Sequence, residues 1–291
     1  MTMIKTSNSL EGLIPVELTT EIINKVQEGS AVMKLAKPVE MTTRVKEFPV
    51  RFTTAGTYWV NESEKIQVSE ATWGKVELVA KKIGTIVPVT KEALNEGIIN
   101  VIEEIKEQIA EDIAVKFDNA ALLGVGSPFT VGSSIFEKAG KYQVTGNLSD
   151  DVSDTMALVE EAGLDVNAFI STRSMKNQLR KAKDEAGFYI FEDKRQGEPA
   201  QIHGVPTVFS KNLKKEKASL IAGDFNQVYV GILNGLNIEI LTEATVDGIN
   251  LAQQDMIGIK ATMDLGFLVV NDKAFAALTP SPSSSKAAKS K

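Results

Sequence analysis

The chain has 291 residues, with 43% hydrophobic and 24% charged residues and a formal net charge of −6. That length fits one large domain or two ordinary ones, with enough apolar residues for a sizeable core. There is no cysteine and a single histidine, His203. This excludes disulfides, thiolate metal sites, cysteine nucleophiles and multi-histidine zinc sites, and the acidic balance argues against a general nucleic-acid binder.

No apolar run approaches the roughly 20 residues of a membrane span. The start, MTMIKTSNSLEGLIPVE, lacks a long apolar core and a cleavage site, so no signal peptide is predicted. A short helix follows, LIPVELTTEIINKVQ, with Pro15 in its first turn and Leu18, Ile22 and Val26 on one face. It packs either on its own domain or, as an arm, on a neighbour.

RVKEFPVRF puts Phe48, Val50 and Phe52 on one face, and Pro49 suits an edge strand. A polar tip holding both tryptophans, Trp59 and Trp73, leads into ATWGKVELVAKKIGTIVPVT. From Gly74 to Val89 this strand would run about 50 Å at roughly 3.3 Å per residue. A compact chain of this size has a radius of gyration of about 19 Å. The apolar phase is even at Val76, Leu78 and Ala80, and odd at Ile83, Thr85, Val87 and Val89. The change at Lys81-Lys82 predicts a bulge or a bend in one hairpin spanning roughly residues 43 to 89. A two-stranded hairpin is marginal alone, so its outer half needs a cover, and its length points to another copy.

Next comes a long helix with a stripe of Ile98, Ile102, Ile105, Ile109, Ile113 and Phe117. Its other face carries Glu103, Glu104, Glu107, Glu111 and Asp112. The glycines at 124 and 126 follow a helix, which is the wrong context for a dinucleotide fingerprint. Beyond them, SDDVSDTMALVEEAG reads as a capped helix, VNAFIS as a buried strand and TRSMKNQLRKAKDEAG as a second helix ending at Gly187. HGVPTVFS, SLIAGDFNQVYVGIL, NIEILTEA and DMIGIKATMDLGFLVV read as strands, and KAFAALT as a last short helix. Such alternation argues an α/β or α+β unit. The end, PSPSSSKAAKSK, is basic and low in complexity, a predicted disordered tail. His203 reads as a structural or surface histidine. No P-loop, nucleophile elbow, HExxH or EF-hand pattern occurs. The residues favour a body with large unsatisfied surfaces, not a catalytic site.

The order of LIPVE, the WVNESEKIQVSEATWGKVELVAKKIGTIVPVTKEALNE run, FDNAALLGVGSP, KDEAGFYIF, HGVPTVFS, AGDFNQVYVGI and KAFAAL resembles tailed-phage major capsid proteins of the Hong Kong ninety-seven type. The resemblance covers about residues 10 to 278. It implies an α+β capsid fold: an arm (1–36), an extended β-hairpin loop (37–89), a spine helix with the first part of a peripheral domain (90–147), an axial domain (148–243), peripheral return strands (244–278) and a tail (279–291). It implies a structural, non-enzymatic subunit without cofactor or metal. Such subunits self-assemble as pentamers and hexamers into an icosahedral shell around double-stranded DNA, without sequence-specific binding or membrane contact. An encapsulin-like nanocompartment shell shares the fold and is the alternative. An α/β enzyme with a carboxylate site is a distant one. The implied partners are a portal and, unless scaffolding is unnecessary or already removed, a separate scaffolding protein. The implied location is the virion, after assembly in the bacterial cytoplasm.

The resemblance also assigns contacts. Trp59, Glu62, Glu64, Trp73, Lys75, Lys81 and Lys82 of the loop, and Leu18, Ile22 and Val26 of the arm, would meet neighbouring subunits. Glu103, Glu104, Glu107 and Glu111 would line the shell interior, an acidic surface to which packaged DNA does not stick. The family's prototype joins subunits through a lysine–asparagine isopeptide bond assisted by a glutamate. Lys65, Lys75 and Asn250 do not match that triad residue by residue, so no crosslink is predicted.

Overall fold

The computed structural model describes residues 24–53, 59–62, 65, 72–92, 101–183, 186–193 and 199–280. Residues 24–29 are helical, and Ser30 caps the short α1 (Ala31–Leu35). Then come β1 (Lys37–Glu40), β2 (Val45–Thr53), β3 (Thr72–Thr90), the spine helix α2 (Val101–Leu123), α3 (Ile135–Lys138), β4 (Gly140–Gln143), α4 (Leu148–Glu160) and β5 (Ala168–Thr172). After them come α5 (Lys176–Leu179), β6 (Phe191–Glu192), β7 (Gln201–Ile202), β8 (Val205–Ser210), β9 (Leu220–Gly223), β10 (Val228–Leu241), β11 (Thr245–Val246), β12 (Ile249–Asn250), β13 (Met256–Val269) and β14 (Phe275–Thr279). A five-stranded sheet runs β1-β10-β13-β3-β2, and a seven-stranded sheet runs β4-β14-β9-β5-β8-β7-β6. Helices and sheets together make an α+β fold.

The spine helix covers one face of the five-stranded sheet. Ile109, Ile113 and Phe117 are buried, as their spacing predicts. They meet the odd residues of β13, Ile259 through Val269, in one cluster. Phe117, Phe129 and Phe267 form its aromatic centre, with ring centroids 5.7 to 6.4 Å apart. The opposite face of the sheet carries a smaller cluster of Met41, Leu78, Ala80 and Leu268. It needs Gly231, where a Cβ would stand 2.4 Å from the Met41 sulfur.

β3 is one strand of 19 residues, about 60 Å long. The phase change is real: Val76, Leu78 and Ala80 turn inward on the outer half, and Ile83, Val87 and Val89 on the inner half. The predicted bulge is absent. β3 pairs with β13 in unbroken register from Ala80 to Thr90, and with β2 from Val79 outward to Trp73. The pleat is continuous, and the cover changes sides. The spine-helix core covers the odd face of the inner half, while Met41 and Leu268 cover the even face of the outer half.

Two further segments differ from their sequence reading. KAFAALT is not a helix. Its residues 275–279 form β14, buried between β4 and β9. Alanine is the best helix former, but propensity is a weak guide, and a buried position in a sheet overrides it. Among its described residues, TRSMKNQLRKAKDEAG makes a 3₁₀ turn and the four residues of α5. After Leu179 the apolar stripe runs out, and Lys183 bridges back to Tyr189. Finally, β4 and β14 complete the seven-stranded sheet, and β10 belongs to the five-stranded one.

Candidate functional site

The outer hairpin is a two-stranded ribbon. Above Ala80, β3 has only β2 beside it, from Val45 opposite Val79 to Arg51 opposite Trp73. Its root is fastened by Phe48, which stacks on Tyr229 at 5.0 Å with rings 3° from parallel. Lys46 donates to the Glu40 carbonyl at 2.9 Å. Farther out, the ribbon offers exposed side chains. Trp59 is fully exposed and Trp73 is 60% exposed. Glu62 and Lys75 are exposed too, Lys81 and Lys82 are exposed below the ribbon where β3 pairs with β13, and Glu64 lies outside the described residues. Lys75 donates to Glu47 at 2.6 Å, and this bond with the Glu47 charge holds its ammonium above the usual lysine range. Lys75, Val79 and Lys81 flank a groove of about 630 Å³ with Phe129, Val131 and Leu268.

The arm behaves otherwise. Leu18 and Ile22 lie outside the described residues. Val26, expected to meet a neighbour, is wholly buried in its own core with Ile109, Ile113 and Ala114. Gly29 lets the chain lie close to the spine, because a Cβ there would stand 3.1 Å from that of Ala114. The reason for this docking is Asp118, which the sequence reading did not single out. It is fully buried and accepts from Ser30 Oγ at 2.5 Å, the Ala31 amide at 3.0 Å, the Val32 amide at 3.3 Å and Asn212 Nδ2 at 3.0 Å. One spine carboxylate thus caps α1 and ties in the loop after β8. The only sequence signal was an aspartate beside the apolar stripe and a serine able to cap a helix.

The acidic face of the spine is partly neutralised. Glu107 pairs with Lys25, and Glu111 with Lys211 at 3.4 Å. Glu104 is exposed, and the side chain of Glu103 lies outside the described residues. These pairs are exposed and contribute little stability.

Nothing among the described residues gathers three or more metal-binding side chains. His203 sits exposed in a turn with φ 49° and donates its amide to the Ile190 carbonyl at 2.9 Å. The arrangement offers surfaces for contact: a ribbon, a groove at its root and a lysine-bridged acidic helix.

Comparison with known proteins gives the same picture. The phage capsid family model matches residues 11–279. The major capsid protein of Staphylococcus phage 80alpha is 36% identical over 281 residues, covering 93% of this chain and 86% of that protein. A solved structure from Microbacterium phage Oxtober96 superposes with a TM-score of 0.78 at 24% identity, covering 87% of this chain and 91% of that one. A capsid of a native GTA particle computed with C5 symmetry superposes with a TM-score of 0.67 at 16% identity, covering 97% and 96%. The match along nearly the whole chain, with the fold it shares, leads to one conclusion: this chain belongs to the phage capsid family.

Proposed function

We propose that this chain is the major head subunit of a tailed phage of the Hong Kong ninety-seven type, self-assembling into an icosahedral shell around double-stranded DNA. The observation that carries this reading is the β2–β3 ribbon. It leaves the five-stranded sheet at Ala80 and carries exposed Trp59 and Trp73 beyond the core. A lone ribbon with exposed aromatics gains stability only by lying on something else. A neighbouring copy is the partner the family supplies. The arm, extended loop, spine, peripheral and axial divisions follow the resemblance, with β4 and β14 joined to the axial sheet. A portal and a separate scaffolding protein would serve assembly in the host cytoplasm, and the virion is the final location. The acidic spine face with Glu103 and Glu104 would line the interior, while Lys25 and Lys211 weaken its field at Glu107 and Glu111.

The test is to express the chain and examine it by electron microscopy and sedimentation. Closed shells, tubes or capsomer sheets are the expected products. A species that stays monomeric at high concentration, with or without co-expressed scaffold, would overturn the reading.

A further inference from the structure

The pairing of β10 with β13 is irregular around one asparagine. Ile232 stands opposite Leu265 and Asn234 opposite Asp264, and the next partners are Asn237 and Thr262. Leu233 is thus one extra residue before Asn234, while Gly235 and Leu236 together face the single Met263. Two bulges flank Asn234. The side chains show the same break. Asn234 donates its Nδ2 to Asp264 Oδ2 at 2.8 Å. Asp264 and Leu268 are even positions of β13, on the face away from the spine helix. Leu236 is buried on the other face, in the core beneath the spine. On a regular strand residues 234 and 236 would share a face, so the backbone turns over at Gly235.

Asn234-Gly235 is the only Asn–Gly pair in the chain, and both residues are exposed. The amide carbon of an asparagine side chain can close a five-membered ring with the backbone nitrogen of the next residue. Closure needs an uncrowded nitrogen and a backbone free to leave the extended form. Glycine supplies both, and the bulges have already taken this stretch out of regular pairing.

We infer that Asn234 is a site of spontaneous deamidation placed in the β10 bulge. The Gly235 nitrogen bonds to Asn234 Cγ and gives up its proton, the Cγ–Nδ2 bond breaks, and ammonia leaves a succinimide behind. Water then opens the ring at either carbonyl. The product is aspartate or, with the main chain rerouted through the side chain, isoaspartate. No electrons are transferred; an amide and water become a carboxylate and ammonium. The fold feels the change. Asp264 is 8% exposed and loses its donor, and a second carboxylate stands in the donor's place. Like charges in contact disfavour each other. Lys82 stands opposite Asp264 on β3 but is exposed, so solvent weakens its compensation. Deamidation therefore loosens β10 from β13, the strand that also holds the inner half of β3. The chemistry needs only the folded chain, so it stands or falls separately from the shell reading.

The test is peptide mapping by mass spectrometry after the full chain has been held at neutral pH and body temperature. A one-dalton gain accumulates at Asn234 ahead of every other asparagine, and isoaspartate is among its products. The folded chain reacts there within about tenfold of the urea-unfolded chain, because opening an exposed, bulged site costs little. A folded rate far below that, a gain led by another asparagine, or aspartate without isoaspartate would overturn the inference. Asn234→Gln keeps an amide for Asp264 but disfavours the five-membered ring, so the gain at this position disappears; an equal gain in this variant would overturn the route. Asn234→Asp mimics one product and lowers the melting temperature by about 3 °C or more. Aged chain melts lower in proportion to its modified fraction, and an unchanged melting temperature in both would overturn the effect on the sheet. Should a variant misfold, the unmodified chain still decides, through its own mass map and the melting temperature of the aged material.

Discussion

Ser30 donates its hydroxyl to the Asp118 carboxylate at 2.5 Å across 88 residues of chain, with both side chains fully buried. The bond joins the segment leading out of the arm to the spine helix. The amides of Ala31 and Val32 and the side chain of Asn212 converge on the same carboxylate. Asp118→Ala strands these donors in the core and should cost on the order of 3 kcal/mol or more. Ser30→Ala should cost about 1 kcal/mol as a lost helix cap. Urea unfolding of both single variants and the double variant checks this, and a double-variant cycle without coupling would refute the pairing.

Tyr142 on β4 donates to Asp154 on α4 at 2.6 Å. That bond, with lesser contributions from burial and nearby aspartates, pushes its phenol up to about 12. A raised folded-state value means the contribution is full below the ordinary tyrosine range near 10. It is lost as pH climbs through the folded value. Ultraviolet titration should show one of the four tyrosines ionising late, and Asp154→Asn should return it towards the rest. Four tyrosines titrating together in the folded chain would contradict this.

Lys75 should not form an isopeptide bond. Its ammonium is engaged by Glu47 on the neighbouring strand of its own ribbon, at 2.6 Å. Asn250 uses its Oδ1 in a turn, accepting from the amides of Ala252 and Gln253 at 3.1 and 3.2 Å. Assembled particles boiled in denaturant should therefore give one monomer band on a gel. A covalent ladder would contradict this.

Trp59→Ala and Trp73→Ala should leave monomer stability within about 0.5 kcal/mol, since both side chains are largely exposed. Assembly should fall by about tenfold or more if they anchor the ribbon on a neighbour. Comparing melting temperature with particle yield separates the two effects. Equal losses in both would assign the tryptophans a folding role.

Much of this was legible where the pattern is local. The period of two fixed β3, and the four-and-three spacing of Ile109, Ile113 and Phe117 fixed the buried face of the spine. The phase change at Lys81-Lys82 was visible, but its cause was not. A sequence shows which face is apolar, and not that Met41 and the spine helix cover opposite faces of one continuous strand. KAFAALT misled because alanine favours a helix and burial in a sheet decided otherwise. Asp118 was illegible because its partners lie up to 94 residues away and meet it only in the fold. The sequence left Val26 free to pack on self or on a neighbour; the fold buries it beside Ile109, Ile113 and Ala114.

The account stands on the claim that the β2–β3 ribbon is built for another copy of the chain. A reconstruction of assembled particles at side-chain resolution tests this most directly. The account predicts residues 59–79 extended over an adjacent subunit, with Trp59 or Trp73 buried against it. A ribbon folded back onto its own subunit, with both tryptophans still in solvent, would contradict it.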